Sequence, residues 1–160
     1  MSERRQGYRG DIVSRPIRGE RTPQHVQNLV VRDYARRRGL TFLLSATEWA
    51  MPGCQAILSQ VLDELPTLSG IICYSIFQLP ETAVARRPIW RRVLESGAEL
   101  HGALESLRVA TPADVSRIED LFLADALVGR AAWDGRVAPA GWRDKMSLQF
   151  DVPRGIFRVD

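Results

Sequence analysis

Residues capable of acid–base or nucleophilic chemistry follow the apolar segments of this sequence that are predicted to be strands. Ser14 comes directly after the first such segment, Glu48 comes shortly after the second, and His25 stands on the first turn of a predicted helix. Serine can act as a nucleophile, and glutamate and histidine can transfer protons. Histidine does so near neutral pH. These three residues are the candidate catalytic residues.

A second group of polar residues in similar positions could hold a substrate. Arginine makes bidentate contacts with phosphates and carboxylates, so Arg15 and Arg21 are assigned to an anionic group of the ligand. Hydroxyl, amide, imidazole and carboxyl side chains could orient the hydroxyl groups of a substrate. The remaining substrate-binding candidates are Gln24, Asn28, Ser45, Thr47, Tyr74, Ser75, Gln78, His101 and Glu105.

Each catalytic candidate also has a structural interpretation. Ser14 could cap the turn before Pro16, His25 could be an ordinary surface histidine, and Glu48 could be the carboxylate at the start of the next helix. A buried, hydrogen-bonded histidine is a commoner role for His101 than a metal ligand. No metal site is expected, and no cofactor is expected because the sequence contains neither a Walker A loop nor a GxGxxG fingerprint.

Strands and helices alternate along the chain, and these elements must position the candidates. Strands are predicted at 10–14, 40–44, 70–74 and 98–104, and helices at about 22–39, 52–65, 88–96 and 111–128. Strands that are apolar throughout and alternate with helices are typical of a parallel sheet covered on both faces. We therefore predict a three-layer α/β fold, flavodoxin-like or resolvase-like, of probable strand order 2-1-3-4.

The predicted domain covers residues 7–129 and ends in a long helix. Residues 130–160 are predicted to be an irregular C-terminal extension, with a short strand at about 147–152. In open parallel sheets, ligands bind outside the carboxyl ends of the strands. The polar residues after the strands should therefore meet in one crevice at this edge of the sheet.

Length, hydrophobic content and charge are typical of a globular domain. The chain has 160 residues, 45% of them hydrophobic, and a net charge of +3. No apolar run approaches the length of a membrane span, and the charged N-terminus does not resemble a secretory signal, so we expect a cytoplasmic protein. The arginines of 36–38, 86–87 and 91–92 are predicted to form solvated faces.

The predicted helix 111–128 carries more apolar residues than one buried stripe requires. Leu123 and Leu127 extend the stripe formed by Val115, Ile118 and Phe122. A helix with so wide an apolar surface is typical of a subunit interface, so we expect a homo-oligomer through this helix. The alternative is that the aromatic residues of the C-terminal extension cover it.

Four sequence blocks resemble the sporadic carbohydrate cluster family, small proteins found among polysaccharide-biosynthesis genes. The blocks are GYRGDIVSRPIRGERTPQHVQNLVVRDY, LLSATEWAMPGC, GIICYSIFQLPE and GAELHGALESL, which lie within residues 7–107. The resemblance implies a role in making or modifying a sugar, with a sugar-like small molecule as the partner.

The order of elements also resembles the catalytic domain of serine recombinases, or resolvases. Ser14 stands where those domains carry a serine after the first strand, and the helix from Thr111 matches their long helix. Gly10, Ile12 and Gln78 replace the tyrosine and two arginines of the resolvase pattern. Without these arginines the transition state of phosphodiester cleavage would be poorly stabilised, so nucleic acid is not the expected partner.

Together, these observations predict an enzyme of carbohydrate or sugar-derived metabolite biosynthesis. It would act on a hydroxylated, anionic small molecule by proton transfer, as an isomerase, epimerase or lyase does. The alternatives are a resolvase-like protein that binds or acts on nucleic acid, and a non-catalytic partner of a biosynthetic enzyme.

Overall fold

The computed structural model describes residues 5–133, and the surroundings of side chains up to residue 129. Within this part, five strands and four helices alternate for most of the chain. In chain order they are β1 Tyr8–Val13, α1 Gln24–Arg38, β2 Phe42–Glu48, α2 Ala56–Asp63, β3 Gly70–Cys73, α3 Ala83–Ser96, β4 Glu99–Gly102, β5 Leu107–Val109 and α4 Pro112–Trp133. Two short 3₁₀ segments, Leu65–Thr67 and Ile76–Gln78, follow α2 and β3.

The strands form a single sheet of order β2-β1-β3-β4-β5. β1 pairs in parallel with both β2 and β3, and β3 pairs in parallel with β4. The predicted α/β class and the order 2-1-3-4 are confirmed. Because the chain leaves β1 toward β2 and leaves β3 toward β4, the carboxyl ends of β1 and β3 flank the switch point of the sheet, where ligands of open α/β folds bind.

The two faces of the sheet carry separate apolar clusters, and this alternation fixes the register of the strands. On one face, Val31 and Tyr34 of α1 pack with Ile12 and Ile72. The other face is covered by α2, α3 and the first part of α4. Its buried residues include Leu58, Val61, Leu62, Ile71, Ile89, Trp90, Val93, Leu100, Ile118 and Phe122.

β1 and β2 approach each other closely at Gly10. A Cβ atom at this position would lie 2.5 Å from Ser45 Oγ and 3.0 Å from a ring carbon of Phe42. The Ser45 hydroxyl is itself held, because it donates to Asn28 Oδ1 of α1. Glycine is therefore required by packing at Gly10.

Two helices end as the sequence predicts. Gly39 after α1 and Gly97 after α3 adopt left-handed conformations, with φ of 65° and 64°. Glycine takes this conformation without a Cβ penalty, and its backbone N–H satisfies carbonyls of the last turn. The sharp ends of α1 and α3 lead directly into β2 and β4.

Several predicted bounds differ from the structure. β2 continues to Glu48 instead of ending at residue 44, so Ser45, Thr47 and Glu48 lie within the strand. β2 is an edge strand, and an edge strand tolerates the polar residues that a buried strand excludes. The helix predicted to begin at Pro88 begins at Ala83, because Thr82 accepts the backbone N–H of Ala85 as the cap, and Pro88 lies inside the helix.

The strand β5 was not predicted from the sequence. It has only three residues and pairs antiparallel with β4, so that Leu100 faces Val109 and Gly102 faces Leu107. A three-residue strand is too short to show a period-2 pattern. It pairs with the side of β4 that would otherwise be the exposed edge of the sheet. Glu105 stands in the turn between the two strands.

The chain divides into two compact units, residues 1–122 and 123–160. The predicted extension 130–160 lies almost wholly outside the described residues, as does its strand at 147–152, and the domain bounds 7–129 stay a prediction. Residues 5–133 contain no helix with both the length and the apolar character needed to span a membrane.

Arg86 is buried, although the sequence predicted a solvated face for the arginines of 86–87. Its side chain is 3% exposed and forms a two-pronged ion pair with Glu119, at 2.8 and 2.6 Å. The guanidinium also donates to the carbonyls of Pro80 and Glu81, and its central carbon lies 3.6 Å from the ring centroid of Phe122. A buried arginine is tolerated only when paired in this way. Arg86 thus ties α4 to the loop before α3.

Candidate ligand-binding crevice at the carboxyl edge

The chain after β1 forms a small hairpin at the carboxyl edge of the sheet. Ile17 and Glu20 exchange backbone hydrogen bonds of 2.9 and 3.0 Å. Between them, Arg18 and Gly19 have φ of 52° and 83°, the left-handed pair of a tight two-residue turn. Gly19 suits this geometry because it has no Cβ. The hairpin carries Arg18 out over the sheet edge.

Arg15 joins the three segments that leave the central strands. Its guanidinium donates to the carbonyl of Cys54, at 3.1 Å, and to that of Gln78, at 2.9 Å. Cys54 lies between β2 and α2, and Gln78 lies in the 3₁₀ segment after β3. Arg15 therefore positions the edge as well as contributing a positive charge to it.

The 3₁₀ segment after β3 is fixed by a set of capping contacts. Ser75 Oγ accepts the N–H of Phe77 at 3.1 Å, and Gln78 Oε1 accepts the N–H of Ser75 at 3.2 Å. The Glu105 carboxylate accepts both the Ser75 hydroxyl and the N–H of Ile76. The structure thus brings together three of the predicted site residues, Ser75, Gln78 and Glu105.

A crevice with two lobes lies between these segments. The smaller lobe has a volume of about 370 Å³ and is lined by the polar residues Glu20, Thr22, Tyr74, Ser75 and Glu105. The larger lobe has a volume of about 660 Å³, and its polar lining includes Arg15, Gln55, Gln78, Glu81 and Thr82. Both volumes lie in the usual range for small-molecule sites.

The two lobes share a wall made by Ile17, Arg18 and Phe77. The central carbon of the Arg18 guanidinium lies 4.6 Å from the centroid of the Phe77 ring, a cation–π distance. On its other side, Phe77 meets the ring of Phe122 in α4 edge-to-face, with 5.2 Å between centroids. In the smaller lobe, the hydroxyls of Thr22 and Tyr74 lie 3.3 Å apart.

Asp11 lies beneath the larger lobe, in the middle of β1. It is 2% exposed, and its Oδ2 accepts the side-chain amide of Gln78 at 2.7 Å. Burial, with a smaller contribution from the charge of Glu48, raises the pKa of Asp11 from 3.8 to about 7, against the opposing effects of the Gln78 hydrogen bond and of Arg15. Its Oδ1 has no hydrogen-bond partner among the described residues.

Glu48 has the contacts of a helix-start carboxylate. It is buried, and its two oxygens accept the backbone N–H groups of Ile57 and Leu58 in the first turn of α2, and of Trp49. Its oxygens are occupied by donors that must be satisfied at a helix start. These are the contacts of a structural carboxylate at the start of α2, and a part for Glu48 in proton transfer stays a prediction.

Ser14 and His25 do not converge with the Glu48 carboxylate. Ser14 Oγ donates to the main-chain carbonyl of Glu48, at 3.2 Å, and accepts the amide of Gln24, at 2.8 Å. These contacts link β1 to β2 and α1, and neither of them caps the turn before Pro16. His25 is exposed on the first turn of α1, and no described contact joins it to either residue. Arg21 is also exposed and lines neither lobe.

Three further candidates lie away from the lobes. Ser45 and Asn28 bond to each other between β2 and α1, and Thr47 is exposed on the edge strand. None of the three lines the crevice. The predicted role of Ser45 and Thr47 rested on strand two ending at residue 44, and that of Asn28 on its place in the first turns of the helix after strand one.

His101 is buried on the α1 face of β4, away from the crevice. Its ring nitrogens bond to Tyr34 Oη, at 2.8 Å, and to Glu99 Oε2, at 3.0 Å. Burial lowers its pKa, although Glu99 opposes the shift. His101 and Glu105 do not share a strand face, because β4 ends at Gly102. Among the described residues, no three His, Cys, Asp or Glu side chains are grouped as metal ligands.

Several residues that line the crevice were not among the predicted site residues, among them Thr22, Phe77 and the turn residue Arg18. Asp11, which bonds to the lining residue Gln78, could have been found, because an acidic residue inside the apolar run GDIVS is rarely tolerated without a purpose. The first helix was predicted to begin at about residue 22, but α1 begins at Gln24 and the Thr22 hydroxyl faces Tyr74. The position of Phe77 between two lobes has no local sequence signal.

The fold is similar to that of serine recombinase catalytic domains. A crystal structure of a resolvase family site-specific recombinase from Streptococcus pneumoniae matches with a TM-score of 0.53 at 8% identity, over 78% of this chain and 91% of that chain. The N-terminal catalytic domain of TP901-1 integrase matches with a TM-score of 0.49 at 13% identity, over 78% of this chain and 98% of that one. The first of these likenesses carries the resolvase-like fold.

No protein-family model matches the chain, and no curated protein matches it. The resemblance to the sporadic carbohydrate cluster family is therefore without support from the comparisons, and nothing in them points to sugar metabolism. At these identities the similarity establishes the fold, and function must be argued from the site.

Proposed function

We propose that the protein binds a phosphate-bearing ligand in the crevice between the carboxyl ends of β1 and β3. The observation that carries this proposal is the position of Arg15 and Arg18, two guanidinium groups of one loop, on the larger lobe at the switch point of the sheet. Guanidinium groups match the geometry of phosphate oxygens.

The start of α3 adds to this environment. Thr82 and Ala85 line the larger lobe, so the first turn of a 14-residue helix adjoins it. The N-terminal end of a helix carries a partial positive charge and favours anions. Glu81 is the only acidic residue lining this lobe among the described residues, which leaves the lining positive.

A nucleic acid is the ligand that the comparisons favour over a sugar. The crystal structure of similar fold is that of a site-specific recombinase, and such a protein acts on a phosphodiester backbone. We propose binding without strand cleavage, because Ser14 contacts Gln24 and a main-chain carbonyl, neither of which supplies positive charge. Phosphoryl transfer needs positive groups around the reacting phosphate.

The second candidate is a small hydroxylated anion, such as a sugar phosphate. It is favoured by the smaller lobe, where Thr22, Tyr74 and Ser75 present hydroxyl groups beside the Phe77 ring. An enzyme of this kind would be an isomerase, epimerase or lyase that moves protons. The separation of Ser14, His25 and the Glu48 carboxylate does not supply that chemistry, and instead favours a non-catalytic binding protein.

Three probes distinguish these outcomes: sulfate, a labelled DNA duplex and glucose 6-phosphate. We expect sulfate to shift backbone amide NMR signals of the larger lobe. If nucleic acid is the ligand, the duplex binds with an affinity that falls steeply with salt. If a small hydroxylated anion is the ligand, glucose 6-phosphate binds more tightly than sulfate and the duplex does not bind.

Arg15→Gln should weaken binding of the successful probe by about tenfold or more, because it removes a charge-assisted contact. Arg91→Gln, at an exposed arginine of α3, is the matched control and should bind as the unaltered protein does. Failure of all three probes would refute the anion site. Equal weakening by both variants would show that binding depends on the overall charge of the protein and not on a specific site.

A further inference from the structure

Asp11 is the most unusual buried group in the described part of the chain. Its strand neighbours are Ala46 of β2 and Cys73 of β3, which give a carboxylate little compensation for the loss of water. The Cys73 Sγ lies 4.0 Å from Oδ2. Arg9 Nε and Asp11 Oδ1 are the two buried side-chain polar atoms without a hydrogen-bond partner among the described residues.

The side chain of Gln78 connects Asp11 to the crevice. Its amide nitrogen donates to Asp11 Oδ2, at 2.7 Å, and to the Asp11 carbonyl, at 3.1 Å, while its oxygen accepts the N–H of Ser75. The Gln78 carbonyl accepts the guanidinium of Arg15 and the amide of Gln55, and all three of these residues line the larger lobe.

Three charged or titratable groups contact or act on Asp11, and a fourth acts on its neighbour Cys73. Arg15 attracts its ionised form, whereas Glu48, at the end of β2, repels it. Cys73 keeps its proton, because burial raises the pKa of the thiol and the charge of Asp11 raises it further. The charge of Glu105 also raises the pKa of Cys73.

We propose that Asp11 is a proton-dependent positioning residue of the crevice, which through Gln78 and Arg15 sets the affinity of the larger lobe for an anion. When Asp11 is protonated, the carboxyl group that accepts the Gln78 amide is neutral. The positive charge of Arg15 is then not reduced by a nearby negative charge. When Asp11 loses its proton, a negative charge lies beneath the lobe, and it repels an anionic ligand. This inference rests on the proposed anion site.

The sign of the effect depends on the direction of the shift. Because burial moves the pKa of Asp11 up to about 7, the protonated form predominates below that pH and the ionised form above it. Anion affinity should therefore fall as pH rises through about 7. By linkage, binding of an anion should raise the pKa of Asp11 further.

The first measurement uses the ligand-free protein. The ¹³C signal of the Asp11 carboxyl and the ¹⁵N signals of the Gln78 side chain and the backbone of residues 76–79 are recorded across about pH 5 to 9. We expect these signals to titrate together, and the amide titration to vanish in Asp11→Asn. Amide signals that stay constant while the carboxyl titrates would overturn the coupling, and so would a carboxyl that does not titrate in this range.

The second measurement is sulfate binding over the same pH range, because the charge of sulfate is constant there. We expect affinity to drop on the order of tenfold from the acidic to the basic end. Asp11→Asn should remove the drop, and the control Asp120→Asn, at an exposed residue of α4, should retain it. A drop that persists in Asp11→Asn overturns the inference. Sulfate that fails to bind at every pH overturns the anion site itself, while the first measurement still decides the coupling.

Discussion

At the scale of single residues, two buried carboxylates on the same face of the sheet have opposite surroundings. Glu48 accepts backbone N–H groups with both oxygens, whereas Asp11 has one bonded and one unbonded oxygen. Burial without a full set of partners raises the pKa of Asp11. Glu48, the acid–base candidate of the sequence, thus has the contacts of a structural carboxylate, whereas Asp11 does not.

Glu48→Gln tests this assignment. Replacing one carboxylate oxygen by an amide nitrogen sets a donor against the backbone donors at the start of α2. We expect the free energy of unfolding to fall by about 2 kcal/mol, the cost of unsatisfied buried hydrogen-bonding groups. Chemical denaturation measures it, with Glu95→Gln at an exposed site of α3 as the control. Equal stability of the two variants would contradict the structural role.

The sequence predicted part of the site for a physical reason. Ser75, Gln78 and Glu105 meet as expected, because they follow β3 and β4, which are neighbouring parallel strands inside the sheet. Ser45 and Thr47 do not line the crevice, because β2 continues past them. The sequence could not show this, since polar residues within an edge strand resemble polar residues that follow its end. The link between Asp11 and the crevice could not be predicted, because it depends on Gln78, a partner distant in sequence.

At the scale of elements, the four parallel strands and their order could be predicted from hydrophobicity and alternation with helices, whereas the contacts between helices could not. Arg86 was predicted to be solvated because its neighbours in sequence are arginines, and only the packing of α3 on α4 reveals its partner Glu119. α4 contacts the wall of the crevice directly where Phe122 meets Phe77. It also acts indirectly, because Glu119 pairs with Arg86 of α3, and Arg86 donates to the Pro80 and Glu81 carbonyls. The last helix thus supports the site although it lies after all the strands.

Glu119→Gln should be costly for this reason. It leaves the buried guanidinium of Arg86 without a counter-charge, and breaking a buried ion pair typically costs about 3 kcal/mol or more. The Trp90 indole, which donates to the same carboxylate, retains an acceptor. The neighbouring change Asp120→Asn, at an exposed position, should alter stability by less than about 0.5 kcal/mol. Urea denaturation compares them, and similar stability of both variants would argue against the importance of the pair.

At the scale of the whole molecule, we propose that α4 mediates self-association. Leu123, Leu127 and Val128 are exposed large hydrophobic residues on this helix. Exposed apolar surface of this kind is typical of subunit interfaces. The other explanation, cover by the C-terminal extension, concerns residues outside the described part of the chain.

The mass in solution decides between these two. We expect light scattering to give at least a dimer for the full chain, and a monomer for the double variant Leu123→Gln with Leu127→Gln. Leu29→Gln, at an exposed leucine of α1, is the control and should keep the oligomeric mass. A monomeric mass for the unaltered chain would refute self-association through α4.

The close approach of β1 and β2 at Gly10 also limits which substitutions this chain can accept one at a time. A Cβ at this position would meet the Ser45 hydroxyl at 2.5 Å. A large side chain could be accepted only after Ser45, Asn28 and the spacing of the two strands had changed. Substitution of Gly10 should therefore depend on earlier substitutions at the contact between β2 and α1, which constrains the order in which changes can accumulate at these positions.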